Sequence, residues 1–150
     1  MNGWIHEHEL QFAFMDLVVL WVVVSALVGQ LTGWASLARR FRFRGQFAGP
    51  TWHWQSGRMR WLMGYNSSLI VGANTDGLYL ATLWLFRIGH PPLLIPWNEI
   101  SVSGAKLLWA RGVRLQLGRE RPVPLWLRDK LADKLRAAAG AVWPAETPVM

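Results

Sequence analysis

The chain has no cysteine. Disulfides, thiolate metal sites and cysteine nucleophiles are therefore excluded. It has no lysine or arginine before Arg39, so its front lacks the basic n-region of a cleaved signal peptide. Catalytic signatures are missing too. There is no Gly-x-Ser-x-Gly elbow and no Gly-x-x-x-x-Gly-Lys phosphate loop. His6 and His8 are two residues apart, whereas a metalloprotease helix needs two histidines four apart with a glutamate after the first. Past residue 16 the acids are Asp76, Glu99, Glu120, Asp129, Asp133 and Glu146, and no spacing pairs two of them for acid–base work. His53 sits between two tryptophans, and His90 precedes Pro91 in a turn, where a structural hydrogen bond is expected. The expectation is a non-enzyme with no cofactor and no metal.

What is present is a long apolar run from Leu10 to Gly29. As a helix, about 20 residues at about 1.5 Å each cover about 30 Å, a bilayer's hydrocarbon thickness. A core helix would show a polar face, and Leu17 to Val24 shows none. A strand of this length would be exceptional. Asp16 opposes insertion by roughly 2.5–3.5 kcal/mol at mid-membrane. Eleven Leu, Val and Phe between Phe12 and Val28 return roughly 0.3–0.6 kcal/mol each, so the balance favours a transmembrane helix over 10–31. The residues before it, 1–9, form a short polar tail.

Charge sets the orientation. The front carries Glu7, Glu9 and Asp16, and the other side opens with Arg39, Arg40, Arg42 and Arg44. Basic residues close to a span stay cytoplasmic. The expected placement is the inner (cytoplasmic) membrane, with the N-terminus outside and the domain in the cytoplasm. All 16 basic residues follow the span, where six of the nine acids lie. Basic charge beside a membrane attracts anionic headgroups, and its position argues against nucleic acid as the partner. Lipid-contact candidates are Trp34, Arg39, Arg40, Arg42, Arg44, Arg58, Arg60 and Arg87. Trp4 and Trp34 fall where interfacial anchors belong. The 11 tryptophans are spread along the chain, a pattern of core and interface filling. Trp52, Trp54, Trp84 and Trp97 are the candidates for contact with a partner protein.

Residues 32–48 read as a basic juxtamembrane linker. Within it Trp34, Leu37, Ala38 and Phe41 follow helical spacing, as for an amphipathic helix lying along the interface. Ser25, Ala26 and Gly29 offer a small-residue face of the kind helix dimers use. From Thr51 the pattern is that of strands. Trp52 to Ser56 alternates, with both tryptophans on one face, and Gly57 permits a turn before Arg58 to Met63. Ser68 to Ala73 leads into Asn74-Thr75-Asp76-Gly77, a hairpin signal. Leu78 to Phe86 is the return strand, apolar on both faces and so covered on both. Leu93 to Trp97 is a short strand that Pro96 restricts to an edge or a bulge. Lys106 to Trp109 and Val113 to Leu117 flank a turn at Arg111-Gly112. Pro124 opens a last helix that ends before Gly140, with Leu127, Leu131, Leu135 and Ala138 as its apolar stripe. The tail 141–150 reads as loose.

Gly77-Leu78-Tyr79-Leu80, then Phe86-Arg87, then Ile95-Pro96-Trp97-Asn98-Glu99-Ile100, resembles a bacterial pleckstrin-homology-like or GRAM-like domain over about 69–139. The resemblance implies two packed antiparallel sheets capped by a helix, and the Gly89-His90-Pro91-Pro92 turn departs from it. The expected fold is thus α+β and mainly β. A transmembrane helix precedes a small antiparallel barrel or sandwich over 49–140, capped by its C-terminal helix. The expected function is a membrane-anchored interaction module, an accessory or scaffold subunit of a membrane protein complex. The alternative is a binder of anionic lipid headgroups, and a third reading is an enzyme of unknown type.

Overall fold

A computed structural model describes residues 3–60, 63–107 and 109–148. Met1 and Asn2 of the expected tail, Trp61 and Leu62 of the second expected strand, Leu108 of the sixth, Val149, Met150 and the side chain of Trp4 lie outside what it describes. The element order is α1 (Gly3–Leu31), α2 (Trp34–Phe41), β1 (Thr51–Met59), β2 (Met63–Ala73), β3 (Gly77–Thr82), β4 (Leu93–Pro96), β5 (Ile100–Leu107), β6 (Ala110–Leu117), β7 (Val123–Arg128), α3 (Asp129–Ala139) and β8 (Glu146–Thr147). The class is α+β, mainly β.

α1 is long and apolar enough to cross a bilayer. Its 29 residues extend about 43 Å at 1.5 Å per residue. The helix already begins at Gly3, so the expected polar tail is its first turns, with His6 to Glu9 exposed upon it. Most of α1's apolar side chains are exposed, among them Leu10, Phe14, Leu20 and Leu27. The exception is one stripe in its last third, formed by Trp21, Ser25, Val28 and Gly29 and continued by Thr32, which turns toward the sheet.

The eight strands form one sheet in the order β4-β3-β2-β1-β7-β6-β5-β8, antiparallel except for β5 with β8. Only Trp97–Glu99 separates β4 from β5, a link that reaches at most about 14 Å. In a flat sheet the same two strands would lie about 29 Å apart at about 4.8 Å per strand. The sheet is therefore rolled, and one core cluster collects residues from β1 through β7. It is nonetheless open: among the described residues no ladder joins β4 to β5. This corrects the expected closed barrel or pair of sheets. Its edges are covered. α2 lies against β4, with Arg42 bridged to Leu93, while β8 pairs along β5. Such covering blocks edge-to-edge aggregation.

Several local expectations change. α2 forms where predicted, but its apolar face enters the core, with Trp34 and Leu37 fully buried. The β4 edge, which α2 covers, is the nearer apolar surface, so α2 packs as part of the domain. β1 runs through Gly57 without turning; its register slips between Trp52 and Gln55 and again before Gly57. That slip separates the two tryptophans, leaving Trp52 against the core and Trp54 exposed. β3 stops at Thr82, and Trp84–Phe86 leaves the sheet as a single 3-10 turn. Arg111 and Gly112 lie inside β6, opposite Lys106 and Ala105. Gly112 serves close packing: a Cβ there would sit 2.7 Å from the Trp126 ring. Val123 to Leu127 is strand, with Val123, Leu125 and Leu127 buried. Pro124 is tolerated because only its carbonyl is needed, as acceptor for the Arg60 N–H at 3.0 Å. The final helix starts at Asp129, burying Leu131, Ala132, Leu135 and Ala139. The tail is held as well. Trp143 sits 5.3 Å from Trp97, and Glu146 takes hydrogen bonds from Arg136 and from the Trp143 indole. The Asn74–Gly77 turn is as expected, with Asn74 Oδ1 accepting from the Asp76 and Gly77 N–H groups.

Candidate interaction site at the root of the long helix

Gly89 allows the domain to touch α1. Its φ of 77° is open to glycine. A Cβ at Gly89 would meet the Ala26 backbone at 2.9 Å, and one at Gly29 would meet the Gly89 carbonyl oxygen at 2.4 Å. The small-residue face that suggested helix dimers is therefore occupied by the chain's own 83–90 segment. Higher on α1, Trp21 meets Phe86 with ring centroids 6.1 Å apart.

Below this contact lies a buried polar chain. The Thr32 hydroxyl is 3.0 Å from the Tyr65 hydroxyl, which is 2.9 Å from His90 Nε2. His90 Nδ1 faces the Ile88 carbonyl at 3.3 Å, and the Trp34 indole donates to the Pro91 carbonyl at 2.8 Å. Trp34, Tyr65 and His90 also meet ring to ring, with centroids 5.3–5.9 Å apart. Burial pushes the Tyr65 phenol up to about 12, partly opposed by the Thr32 hydrogen bond. Burial also lowers the His90 pKa, against the backbone carbonyls of Ile88 and Phe86. Both side chains are therefore neutral near pH 7. They are tied to backbone and to each other, as a structural clasp requires.

A groove of about 610 Å³ runs along this junction. α1 supplies Trp21, Val24, Ser25 and Val28; the domain supplies Trp54, Tyr65, Leu83, Phe86 and His90. No carboxylate lines it. Trp54 and Ser67 on its rim both have positive φ, 57° and 51°, a backbone state that costs about 1–3 kcal/mol and clusters at functional sites. Trp84, Leu85 and Ile88, neighbours of Phe86 in the chain, are exposed; Trp84 is 76% so and Trp54 68%. Among the described residues no three His, Asp or Glu side chains gather as a metal site.

The sequence candidates separate into groups. Trp54 and Trp84 line or flank the groove. Trp97 is buried and donates to the Asn74 carbonyl at 2.7 Å, and Trp52 rests on the core. Trp34, expected at the interface, is in the core. Arg39, Arg42 and Arg44 are exposed around the end of α2. Arg40 lies over the Phe41 ring and 3.8 Å from Glu120. Arg87 is exposed in the 83–90 segment. Arg58 and Arg60 meet elsewhere, in a cleft with Arg114 and Trp126 that spacing did not reveal. Thr32, Tyr65 and His90 were also missed as a set, since no short-range pattern links them. Compared with protein-family models, curated proteins and solved structures, the chain matches none.

Proposed function

We propose that this chain is a non-catalytic, single-pass membrane-anchored interaction module, an accessory subunit of a membrane protein complex. One observation carries the reading: the exposed apolar residues of α1 and the exposed Trp54, Trp84, Leu85, Phe86 and Ile88 of the domain come together at the junction where Trp21 meets Phe86. Contiguous apolar surface of this kind marks membrane or partner contact. With 10–29 in the bilayer, Trp21 lies about 15 Å from the end of α1. The 84–88 turn, in contact with Trp21 through Phe86, then reaches into the same leaflet. The groove beside it has the character to seat an apolar segment of a partner subunit. The basic residues after α1 support a cytoplasmic domain at the inner membrane. A rolled antiparallel sheet carrying a C-terminal helix is compatible with the pleckstrin-homology-like resemblance, which by itself assigns no ligand. The test is mild detergent extraction of tagged chain from its native membrane, followed by size and composition analysis. Stoichiometric co-purification of membrane subunits is the expected result; a lone chain would refute the subunit reading.

A second reading, attachment to anionic headgroups, is favoured by the shared cleft of Arg58, Arg60 and Arg114.

A further inference from the structure

The core-facing residues of β1, β7 and β6 are Met59, Leu125 with Leu127, and Val113 with Leu115. Alternation therefore places Arg58, Trp126 and Arg114 on the opposite, outer face. They stand in one cross-strand row, since Arg58 pairs with Trp126 and Trp126 with Arg114. A cleft of about 290 Å³ opens over this row, with Arg60 also on its wall. No acid lines it, and among the described residues none of the three arginines forms an ion pair. Like charges gathered across neighbouring strands repel. An anion between them would turn that repulsion into attraction, and forked guanidinium groups match phosphate oxygens in particular.

Arg60 fixes where the cleft lies. Its Nη1 donates to the Leu31 carbonyl at 3.1 Å, so it satisfies the last turn of α1 and places positive charge at that helix's negative end. The cleft is thus mounted at the point where the apolar run ends. We infer that the Arg58–Trp126–Arg114 cleft binds a phosphate-bearing anion. The phosphate site stands on this geometry alone, and its assignment to a phospholipid headgroup rests on the membrane-anchor reading.

The test uses the full chain in a non-ionic detergent, titrated calorimetrically. The probes are dihexanoyl phosphatidylglycerol, dihexanoyl phosphatidylcholine and inorganic phosphate. Saturable binding of the anionic lipid is expected, weakened about tenfold for each of Arg58→Gln and Arg114→Gln. Should one of these variants not fold, the other carries the same test. Phosphate binding as tightly as the lipid would support the site but reassign it to a soluble phosphoryl ligand. Equal affinity for the zwitterionic lipid, unchanged affinity in the Gln variants, or no saturable binding of any probe would overturn it. Alkaline carbonate washing of native membranes tests the anchor separately. A chain that washes off yet binds phosphate through these arginines fails only the lipid assignment.

Discussion

Gly29→Ala tests the seating of the domain on α1. The new Cβ would lie 2.4 Å from the Gly89 carbonyl oxygen, while real Cβ contacts essentially never fall under 3.0 Å and become ordinary at 3.4 Å. The 83–90 segment must therefore retreat by about 0.6–1 Å, because both groups are backbone and neither can rotate away. His90 follows Gly89 directly, so the 2.9 Å link to Tyr65 and the 2.8 Å link from Trp34 to Pro91 both stretch. Overpacking costs about 1–3 kcal/mol, and each weakened hydrogen bond adds about 0.5–1.5 kcal/mol. Replacing a helical glycine returns about 1 kcal/mol. The net loss is about 1–5 kcal/mol, or about 3–15 °C in Tm for a chain of this size. Melting in detergent, followed by tryptophan fluorescence, reads it directly. Leu20→Ala, on the exposed face of α1, is the control and should leave Tm unchanged. A Gly29→Ala chain melting at or above wild type would show that α1 and the domain are not seated on each other.

Tyr65→Phe removes the hydroxyl that joins Thr32 to His90 and should cost about 1–3 kcal/mol; adding Thr32→Val should cost less than the sum of the two single changes, in a melting-based double-mutant cycle. Stability should be flat between about pH 6.5 and 10. Below that range the unfolded chain protonates His90 more readily than the folded one, so stability falls as pH drops through the lowered folded value. A His90→Gln chain lacks this acid limb in urea titrations at stepped pH. Above pH 10 the unfolded chain loses the Tyr65 proton first, and by about pH 12 stability should fall by roughly 2 kcal/mol; persistence of that loss in Tyr65→Phe would refute the assignment. Trp84→Ala, at an exposed position, should move stability by no more than about 0.5 kcal/mol while releasing co-purifying subunits; full retention of them would remove Trp84 from the interface.

Elements governed by local chemistry were legible in the sequence. The apolar length of α1, the Asn74–Gly77 hairpin and the two-sided burial of β3 all follow from runs and turn residues read in place. Failures occurred where tertiary contact overrode a local sign. Gly112 resembles a turn residue, yet its missing Cβ makes room for the Trp126 ring. Pro124 resembles a helix start, yet it lies in a strand that needs only its carbonyl. Trp84 to Phe86 continues an apolar run, yet it leaves the sheet beside Trp21 on another element. The clasp was illegible for a different reason. Thr32, Tyr65 and His90 are 33 and 25 residues apart, and nothing local announces that a hydroxyl, a phenol and an imidazole will satisfy one another. The arginine cleft shares this origin, because Arg114 reaches Arg58 only through β7.

The mounting of the domain bears on what kind of partner the proposed module would serve. Only Thr32 and Gly33 separate α1 from α2, and Gly33 turns the chain with φ at 87°. Trp34 and Leu37 then anchor α2 in the core, Arg60 holds the last carbonyl of α1, and Gly89 holds its flank. A flexible tether would let the domain search a wide volume for a soluble ligand, at an entropic cost paid on each capture. A domain fixed at three points presents Trp54, Trp84 and the groove at one height and one angle relative to the span. That arrangement lowers the ordering cost only for a partner that is itself oriented by the same bilayer. Under the proposed membrane-anchor reading, these three attachments at the root of α1 favour a neighbouring membrane subunit over a diffusing ligand.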